Sequence, residues 1–335
     1  MTKTNTDFYP ITLPTTGNIV HNAQLRYVNI DKVLADSKSD RASKYDGFLN
    51  IAYQDSADTL ILQSGEIINA VRFTTHDRFV IPVTEVIKKA KTLKAALLNL
   101  DKTEMRVIQL LLASILYAPE IKNVPGHCVD FKTFLKQLNT RRWNGFLEFS
   151  APHEINFLTV EAGIPRKTFF SEKLALDHGK KFMLALVDLL GTKQYKISAY
   201  PYLQLHDKFL KQIHPAQIVL FSKVFLAVFN YISQEMGATS AHEMFRATQQ
   251  ELDEDFPLLL TMAIDRQGNL IYNGISQPEV FTDSLSAWFN GSIMKITQTT
   301  KIEIIPAIED ILKPDQVTLN SLGFYNNCSM LKRGI

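Results

Sequence analysis

Two short groups of residues in this chain have types and spacing that could do chemistry. Arg141 and Arg142 directly precede Trp143, and two adjacent guanidinium groups next to a turn can bind a phosphate or a carboxylate. His127 and Cys128 are neighbours, and a cysteine paired with a histidine is the nucleophile of some hydrolases. Such a pair has to meet in space rather than in sequence, so this hydrolase hypothesis has the least weight. For the arginines, a solvated loop before a strand is the favoured interpretation.

Motifs that carry well-defined chemistry are absent from the sequence. It has no Gly-x-x-x-x-Gly-Lys-Ser/Thr phosphate loop, no Gly-x-Gly-x-x-Gly fingerprint, no Gly-x-Ser-x-Gly and no His-Glu-x-x-His. His206 and His214 are eight residues apart (214 − 206 = 8) without a third ligand near them, so we predict neither a metal nor a cofactor. The sequence therefore favours a protein that is not an enzyme.

The composition excludes several classes of protein. Of the 335 residues, 46% are hydrophobic, which is enough to build packed domains. The formal net charge of +2 is too small to indicate a basic surface for nucleic acid. Two cysteines are too few for a disulfide framework, which indicates a reducing compartment. The most apolar segment, 216–232, contains Lys223 and is shorter than the ~20 residues of a membrane span. We therefore expect a cytoplasmic protein without membrane insertion.

A pattern that occurs twice organises the N-terminal part of the chain. Gly47 and Gly145 each open an apolar run, and each run ends at a second glycine, Gly65 or Gly163. The spacing is the same in both pairs, since 145 − 47 = 98 and 163 − 65 = 98. Equal spacing with the same apolar pattern indicates an internal duplication. We predict that these four glycines occupy structural turns, with positive φ at Gly65 and Gly163.

Hydrophobic periodicity and turn signals place helices and strands around these glycines. Helices are predicted over 30–36, 83–91, 103–117, 130–138, 172–190, 215–236, 240–252, 279–290 and 304–312. Strands are predicted over 47–53, 58–63, 66–73 and 95–100 in the first copy, and over 145–150, 155–161, 164–170 and 194–200 in the second. A further hairpin is predicted from 258–264 and 270–272. Pro165 is expected to confine its strand to a sheet edge or a bulge.

These elements predict an α+β fold. An extended leader covers residues 1–21, repeat 1 covers 22–118, repeat 2 covers 119–204, and a mainly helical C-terminal domain with a β-hairpin covers 205–335. Each repeat is a helix, a three-stranded antiparallel meander, a second helix and a last strand. Helix 103–117 is apolar on more than one side. We therefore expect it to pack between the two repeats, or between repeat 1 and helix 215–236.

The repeated pattern resembles the PATAN-type domains of bacterial signalling proteins. The matching residues are a series of glycines and apolar side chains in each copy: Gly47, Leu49, Ile51, Leu60, Gly65, Ile67 and Ala70, and then Gly145, Leu147, Phe149, Leu158, Gly163 and Ile164. The resemblance covers residues 22–200, and the second copy is degenerate because Pro165-Arg166-Lys167 replaces the pattern after its glycine. It implies a non-enzymatic module that docks protein partners, often in response-regulator, motility or surface-behaviour pathways.

We hold three functional hypotheses, in decreasing order of weight. The first is a non-enzymatic cytoplasmic signalling adaptor or scaffold that docks protein partners in a response-regulator or motility pathway, with the meander edges as its docking surface. The second is a sensor of a nucleotide or another small anionic ligand, bound by Arg141, Arg142 and Trp143. The third is the hydrolase that uses His127 and Cys128.

Overall fold

A computed structural model describes residues 8–39, 45–171, 186–187, 190, 195–201, 211–300, 303–328 and 331. Within these residues helices combine with antiparallel sheets, and the C-terminal part is mainly helical, which confirms the predicted α+β class. The chain divides into two compact units, residues 1–210 and 211–335. The first unit holds both repeats, and the second holds the helical domain.

The first sheet of the N-terminal unit is built from repeat 1. Its strands lie in the order β1 (Gly17–Gln24), β6 (Leu97–Lys102), β2 (Gly47–Ala52), β3 (Ser56–Gln63), β4 (Glu66–Thr74) and β5 (Arg78–Val80), each antiparallel to its neighbours. Helices α1 (Ile30–Ser39) and α2 (Val83–Thr92) pack against one face of this sheet. That face carries alternate strand residues such as Leu49, Ile51 and Leu60, because successive side chains of a strand point to opposite sides.

The second sheet is built from repeat 2. Its strands lie in the order β10 (Ile164–Phe169), β9 (Glu154–Glu161), β8 (Gly145–Ala151), β11 (Lys196–Tyr200) and β7 (Ile121–Pro125). Helix α4 (Phe131–Thr140) packs on the face that carries Leu147 and Leu158, and the Asp130 side chain caps it by accepting from the Thr133 N–H at 3.2 Å. Pro165 lies in edge strand β10 next to a register shift, which confirms its predicted effect on this strand.

The two sheets repeat one another in strand order and in local detail. Strands β7, β11, β8, β9 and β10 occupy the positions of β1, β6, β2, β3 and β4. Gly65 and Gly163 have φ angles of 79° and 77°, and the preceding Ser64 and Ala162 have φ angles of 51° and 50°. Positive φ at both central residues defines a type I′ hairpin turn, so the predicted turns are confirmed at Gly65 and Gly163.

Gly47 and Gly145 lie at the first residues of β2 and β8, and the prediction that they occupy turns is wrong. A Cβ atom on Gly47 would lie 2.2 Å from the backbone oxygen of Asp101, and one on Gly145 would lie 2.1 Å from that of Tyr200. Glycine is needed at both positions because the last strand of each repeat approaches the backbone too closely for any side chain.

Helix α3 (Met105–Leu116) lies between the inner faces of the two sheets. Its Ile108 and Leu111 belong to one core cluster with Phe48 of β2 and Phe146 of β8. Apolar side chains therefore cover both faces of the first sheet, which explains why β2 is buried over its full length. The prediction that this helix packs between the repeats is confirmed.

The C-terminal unit is formed by helices around an aromatic core. They are α5 (Pro215–Met236), α6 (Ala238–Leu252), α7 (Pro278–Thr300), α8 (Ile305–Leu312) and α9 (Gln316–Ser321), with a hairpin of β12 (Met262–Ile264) and β13 (Leu270–Tyr272). Phe225, Phe245 and Trp288 meet in the core, where the Trp288 indole donates to the Phe245 carbonyl at 2.8 Å. By length and composition alone, α5 is the one helix of the described residues that could cross a membrane. One side of it is buried in this core.

The structure departs from the predicted elements mainly at sheet edges and element ends. Strand β1 begins at Gly17, so the last part of the predicted leader belongs to the first sheet. The sequence does not predict β1, β5 or β7, and β12 is shorter than expected because Pro257–Thr261 forms a 3-10 turn. Helix α7 continues past its predicted end to Thr300. The helix predicted over 172–190 lies largely outside the described residues.

Candidate functional site

The predicted arginine site lies at the turn from α4 to β8. Arg141 directly follows α4, Arg142 has a φ angle of 49°, and both side chains are exposed. Trp143 is half-buried, and its indole Nε1 donates to Glu120 Oε2 at 2.9 Å. The structure thus places the three predicted residues at one turn. The Trp143 ring, which the sensor hypothesis assigns to binding an anion, contacts the Glu120 carboxylate instead.

His127 and Cys128 lie in an exposed 3-10 turn before α4. Among the described residues no hydrogen bond joins their side chains, and no group of three His, Cys, Asp or Glu side chains could hold a metal. Other histidines have structural partners. His214 caps α5 by accepting from the Ala216 N–H at 3.1 Å, and His242 Nε2 lies 3.0 Å from the Ile264 carbonyl oxygen.

A cleft of about 850 Å³ opens between the two repeats of the N-terminal unit. Repeat 1 contributes the turn between β4 and β5 and the end of α3, and repeat 2 contributes strands β7, β8 and β11. We call it the inter-repeat cleft, and its polar lining includes Arg78, Ser114, Lys122, Glu148, Lys196 and Tyr200. A concave site with several convergent polar groups is the usual place for ligand binding.

One ion pair joins the two repeats within the lining of this cleft. Arg78 Nη2 donates to Glu148 Oε2 at 2.5 Å, and the two side chains are 18% and 2% exposed. The Ser114 carbonyl lies 3.5 Å from the same Nη2 and accepts from the Tyr200 hydroxyl at 3.1 Å. Burial, with a smaller contribution from the Glu148 carboxylate, raises the pKa of Tyr200 to about 12. The Arg78 guanidinium holds the Glu148 carboxylate, and the Tyr200 phenol keeps its proton. Both groups are therefore poorly suited to proton transfer at neutral pH.

Two lysines add positive charge to the lining. Lys122 on β7 and Lys196 on β11 have exposed side chains and line the cleft. The Arg78 guanidinium offsets the charge of Glu148, whereas the exposed Asp77 accepts from the Arg78 backbone N–H at 2.8 Å, a neutral donor that does not offset a negative charge. Two lysines outnumber this one carboxylate, so the lining has a net positive charge, which suits a ligand that carries carboxylate groups.

The equivalent face of repeat 1 has different side chains. Asn50 occupies the position of Glu148 (148 − 50 = 98), and Asp101 pairs with Phe48 as Tyr200 pairs with Phe146. The Asn50 Nδ2 donates to Asp101 Oδ2 at 3.3 Å. The polar groups of this face thus bind one another, whereas in repeat 2 the residue at the equivalent position reaches across to the other repeat.

The sequence does not single out the residues of the cleft. Arg78 and Glu148 are 70 residues apart, and no spacing rule connects a residue after one meander to a residue inside the next. The one available signal is Glu148 itself, a charged side chain between Phe146 and Phe149 on a strand predicted to be buried. A charge at such a position requires a partner.

Comparisons of the chain with protein-family models, with curated proteins and with solved structures gave no match. The family resemblance therefore depends on the repeated glycine and apolar residues alone.

Proposed function

We propose that this chain is a non-enzymatic cytoplasmic signalling adaptor, similar to PATAN-type modules, that docks a protein partner in the inter-repeat cleft. The observation that carries the proposal is the cleft, whose volume of about 850 Å³ is lined by polar, charged and aromatic groups from both repeats. A cavity of this size can hold a short segment of a partner chain. Its buried charges pair with one another, which suits recognition better than catalysis.

Strand addition at the sheet edges is supported less well than binding in the cleft. Strand β1 has register irregularities near Val20, β10 contains Pro165, and β5 is only three residues long. Bulges, prolines and short strands are the means by which proteins prevent pairing at exposed edges. The cleft therefore replaces the meander edges as the docking surface in this proposal.

A single substitution at the mouth of the cleft tests the proposal. Ala118 is exposed and lines the cleft, so Ala118→Trp should fill part of it without disturbing the core. The matched control is Ala238→Trp, at an exposed position in the C-terminal unit. Affinity capture from the native cell extract should recover a partner with the wild-type chain and the control, but not with Ala118→Trp. A partner recovered equally with all three proteins would show that docking takes place elsewhere.

The ligand-sensor hypothesis stays a prediction with its own test. Isothermal titration with a panel of nucleotides compares the wild-type chain with a variant that carries Arg141→Ala and Arg142→Ala. If these arginines bind the ligand, the heat of binding disappears in the variant. Heat that persists would remove them as the site.

A further inference from the structure

The charges around the inter-repeat cleft indicate the chemistry of the segment that binds there, an inference that rests on the proposed function. The lining contains the cationic Arg78, Lys122 and Lys196 and the acidic Asp77 and Glu148. The Glu148 carboxylate pairs with the Arg78 guanidinium, whereas Asp77 accepts from the neutral Arg78 backbone N–H. In the part of the chain that the structure describes, the two exposed lysines form no ion pair. Two lysines outnumber Asp77, so the lining carries a net positive charge and attracts anions.

The two lysines lie on neighbouring antiparallel strands of the second sheet. Val124 of β7 is opposite Ile197 of β11 and Ile121 is opposite Ala199, so the register shifts between these pairs. Asn123 has a φ angle of 54° there and its N–H donates to the Ser198 hydroxyl at 3.0 Å, as expected at a β-bulge. Lys122 lies in this bulge and Lys196 lies beside it on β11, and both line the cleft.

We propose that the inter-repeat cleft binds an acidic segment of the partner protein, two of whose carboxylates pair with Lys122 and Lys196. Arg78 keeps its bond to Glu148 and holds the two repeats together, so the lysines and not the arginine select the ligand. Lys122 and Lys196 are exposed, so salt weakens this recognition, as it does for charge pairs in contact with water.

Fluorescence anisotropy with defined peptides tests this inference on the full chain. The probes are a rhodamine-labelled peptide of alternating Glu and Ser and a matched peptide with Gln in place of Glu. The cleft variant carries Lys122→Glu and Lys196→Glu. The control variant carries Lys132→Glu and Lys136→Glu, which change the net charge equally at exposed positions of α4.

The wild-type chain and the control variant should bind the acidic peptide, and the cleft variant should bind it at least about tenfold more weakly. The Gln peptide should bind weakly to all three proteins, and added salt should weaken the acidic peptide most. Thermal melting of each variant verifies that it is folded. Free acetate, added as a competitor, should displace the peptide poorly because its single carboxylate engages only one lysine.

Three results would overturn the inference. The first is equal binding of the acidic and Gln peptides, and the second is equal binding of the acidic peptide to both variants. The third is complete displacement by free acetate at low concentration, which would assign the cleft to a small carboxylate. Each of these leaves the capture experiment with Ala118→Trp unaffected, so the failure of this inference is distinct from the failure of the proposed function.

Discussion

Asp101 is a half-buried carboxyl group whose surroundings oppose its charge. It accepts hydrogen bonds from Asn18 Nδ2 at 2.6 Å and Asn50 Nδ2 at 3.3 Å. Burial nevertheless raises the pKa of Asp101. A raised pKa means that the folded state holds the proton more tightly than the unfolded state does. The stabilisation from this group is therefore complete below its unfolded pKa and is lost as the pH rises through the folded pKa.

Asp101→Asn should stabilise the protein at neutral pH, because the amide carries no charge at this half-buried position. Its oxygen accepts from Asn50, and the exposed Asn18 amide can rotate to accept from the new N–H. The gain should shrink as the pH falls through the folded pKa and disappear below about 4, the unfolded pKa of an aspartic acid, since the wild-type group is then neutral in both states. Urea denaturation at several pH values measures this, with Asp310→Asn at an exposed position as the control. A gain that does not depend on pH, or a loss at neutral pH, would contradict the assignment.

Only glycine fits at position 145 because the backbone of the neighbouring strand lies too close for a Cβ atom, not because of the φ angle of Gly145. Because an added Cβ atom would lie 2.1 Å from the Tyr200 carbonyl oxygen, Gly145→Ala has to separate β8 from β11. We expect a destabilisation of about 1–3 kcal/mol, the usual range for overpacking. Gly17→Ala is the control, since nothing lies within 4 Å of that added atom. Equal free energies of unfolding for the two variants would refute this explanation.

The glycines also show which local features the sequence can predict. Positive φ at Gly65 and Gly163 follows from a short turn between two apolar runs, a signal contained within a few residues. The role of Gly47 and Gly145 depends on a strand that lies about fifty residues further along the chain (101 − 47 = 54 and 200 − 145 = 55). No local pattern reports such a contact, so the sequence identifies these glycines as important without giving the reason.

At the scale of elements, burial decides which strands and helices the sequence predicts. Strand β2 and helix α3 carry apolar residues at regular spacing because they are buried. Strand β1 is largely exposed and irregularly paired, and β7 ends in Pro125. An edge strand makes half its backbone hydrogen bonds and needs few apolar side chains, so alternation in its sequence is weak. The unpredicted strands are therefore edge strands.

Helix α3 holds the two sheets together, and one substitution tests this. Leu111 is fully buried, so Leu111→Asp places an unpaired charge between the sheets and should destabilise the protein by at least about 3 kcal/mol. Leu116→Asp is the control on the same helix, since Leu116 is 45% exposed. Thermal melting and small-angle scattering report stability and compactness. Wild-type melting of Leu111→Asp would mean that α3 does not lie between the repeats.

At the scale of the N-terminal unit, duplication explains the order of the elements, while divergence of the copies explains the cleft. The 98-residue offset relates Asn50 to Glu148 (148 − 50 = 98), yet Asn50 bonds within its own repeat whereas Glu148 pairs with Arg78 of the other repeat. A duplicated pattern in the sequence predicts what the copies share. The cleft arises where they differ, and for that reason the sequence predicts the fold well and the candidate site poorly.

The Arg78–Glu148 ion pair should contribute to stability as a unit rather than as two separate groups. Arg78→Met leaves the 2% exposed Glu148 without its cation and should cost about 3–5 kcal/mol, the penalty for breaking a buried pair. Adding Glu148→Leu removes the unpaired charge, so the double variant should recover much of that loss.

A double-mutant cycle measures this coupling through urea denaturation. The matched control is the exposed pair of Arg166 and Glu161, at 3.4 Å with side chains 53% and 51% exposed, where a coupling of about 0–1 kcal/mol is expected. A coupling at Arg78 and Glu148 no larger than that of the exposed pair would mean that water reaches the pair freely. The repeats would then be held together by the apolar core around α3 and by exposed contacts such as the ion pair of Lys167 and Glu104.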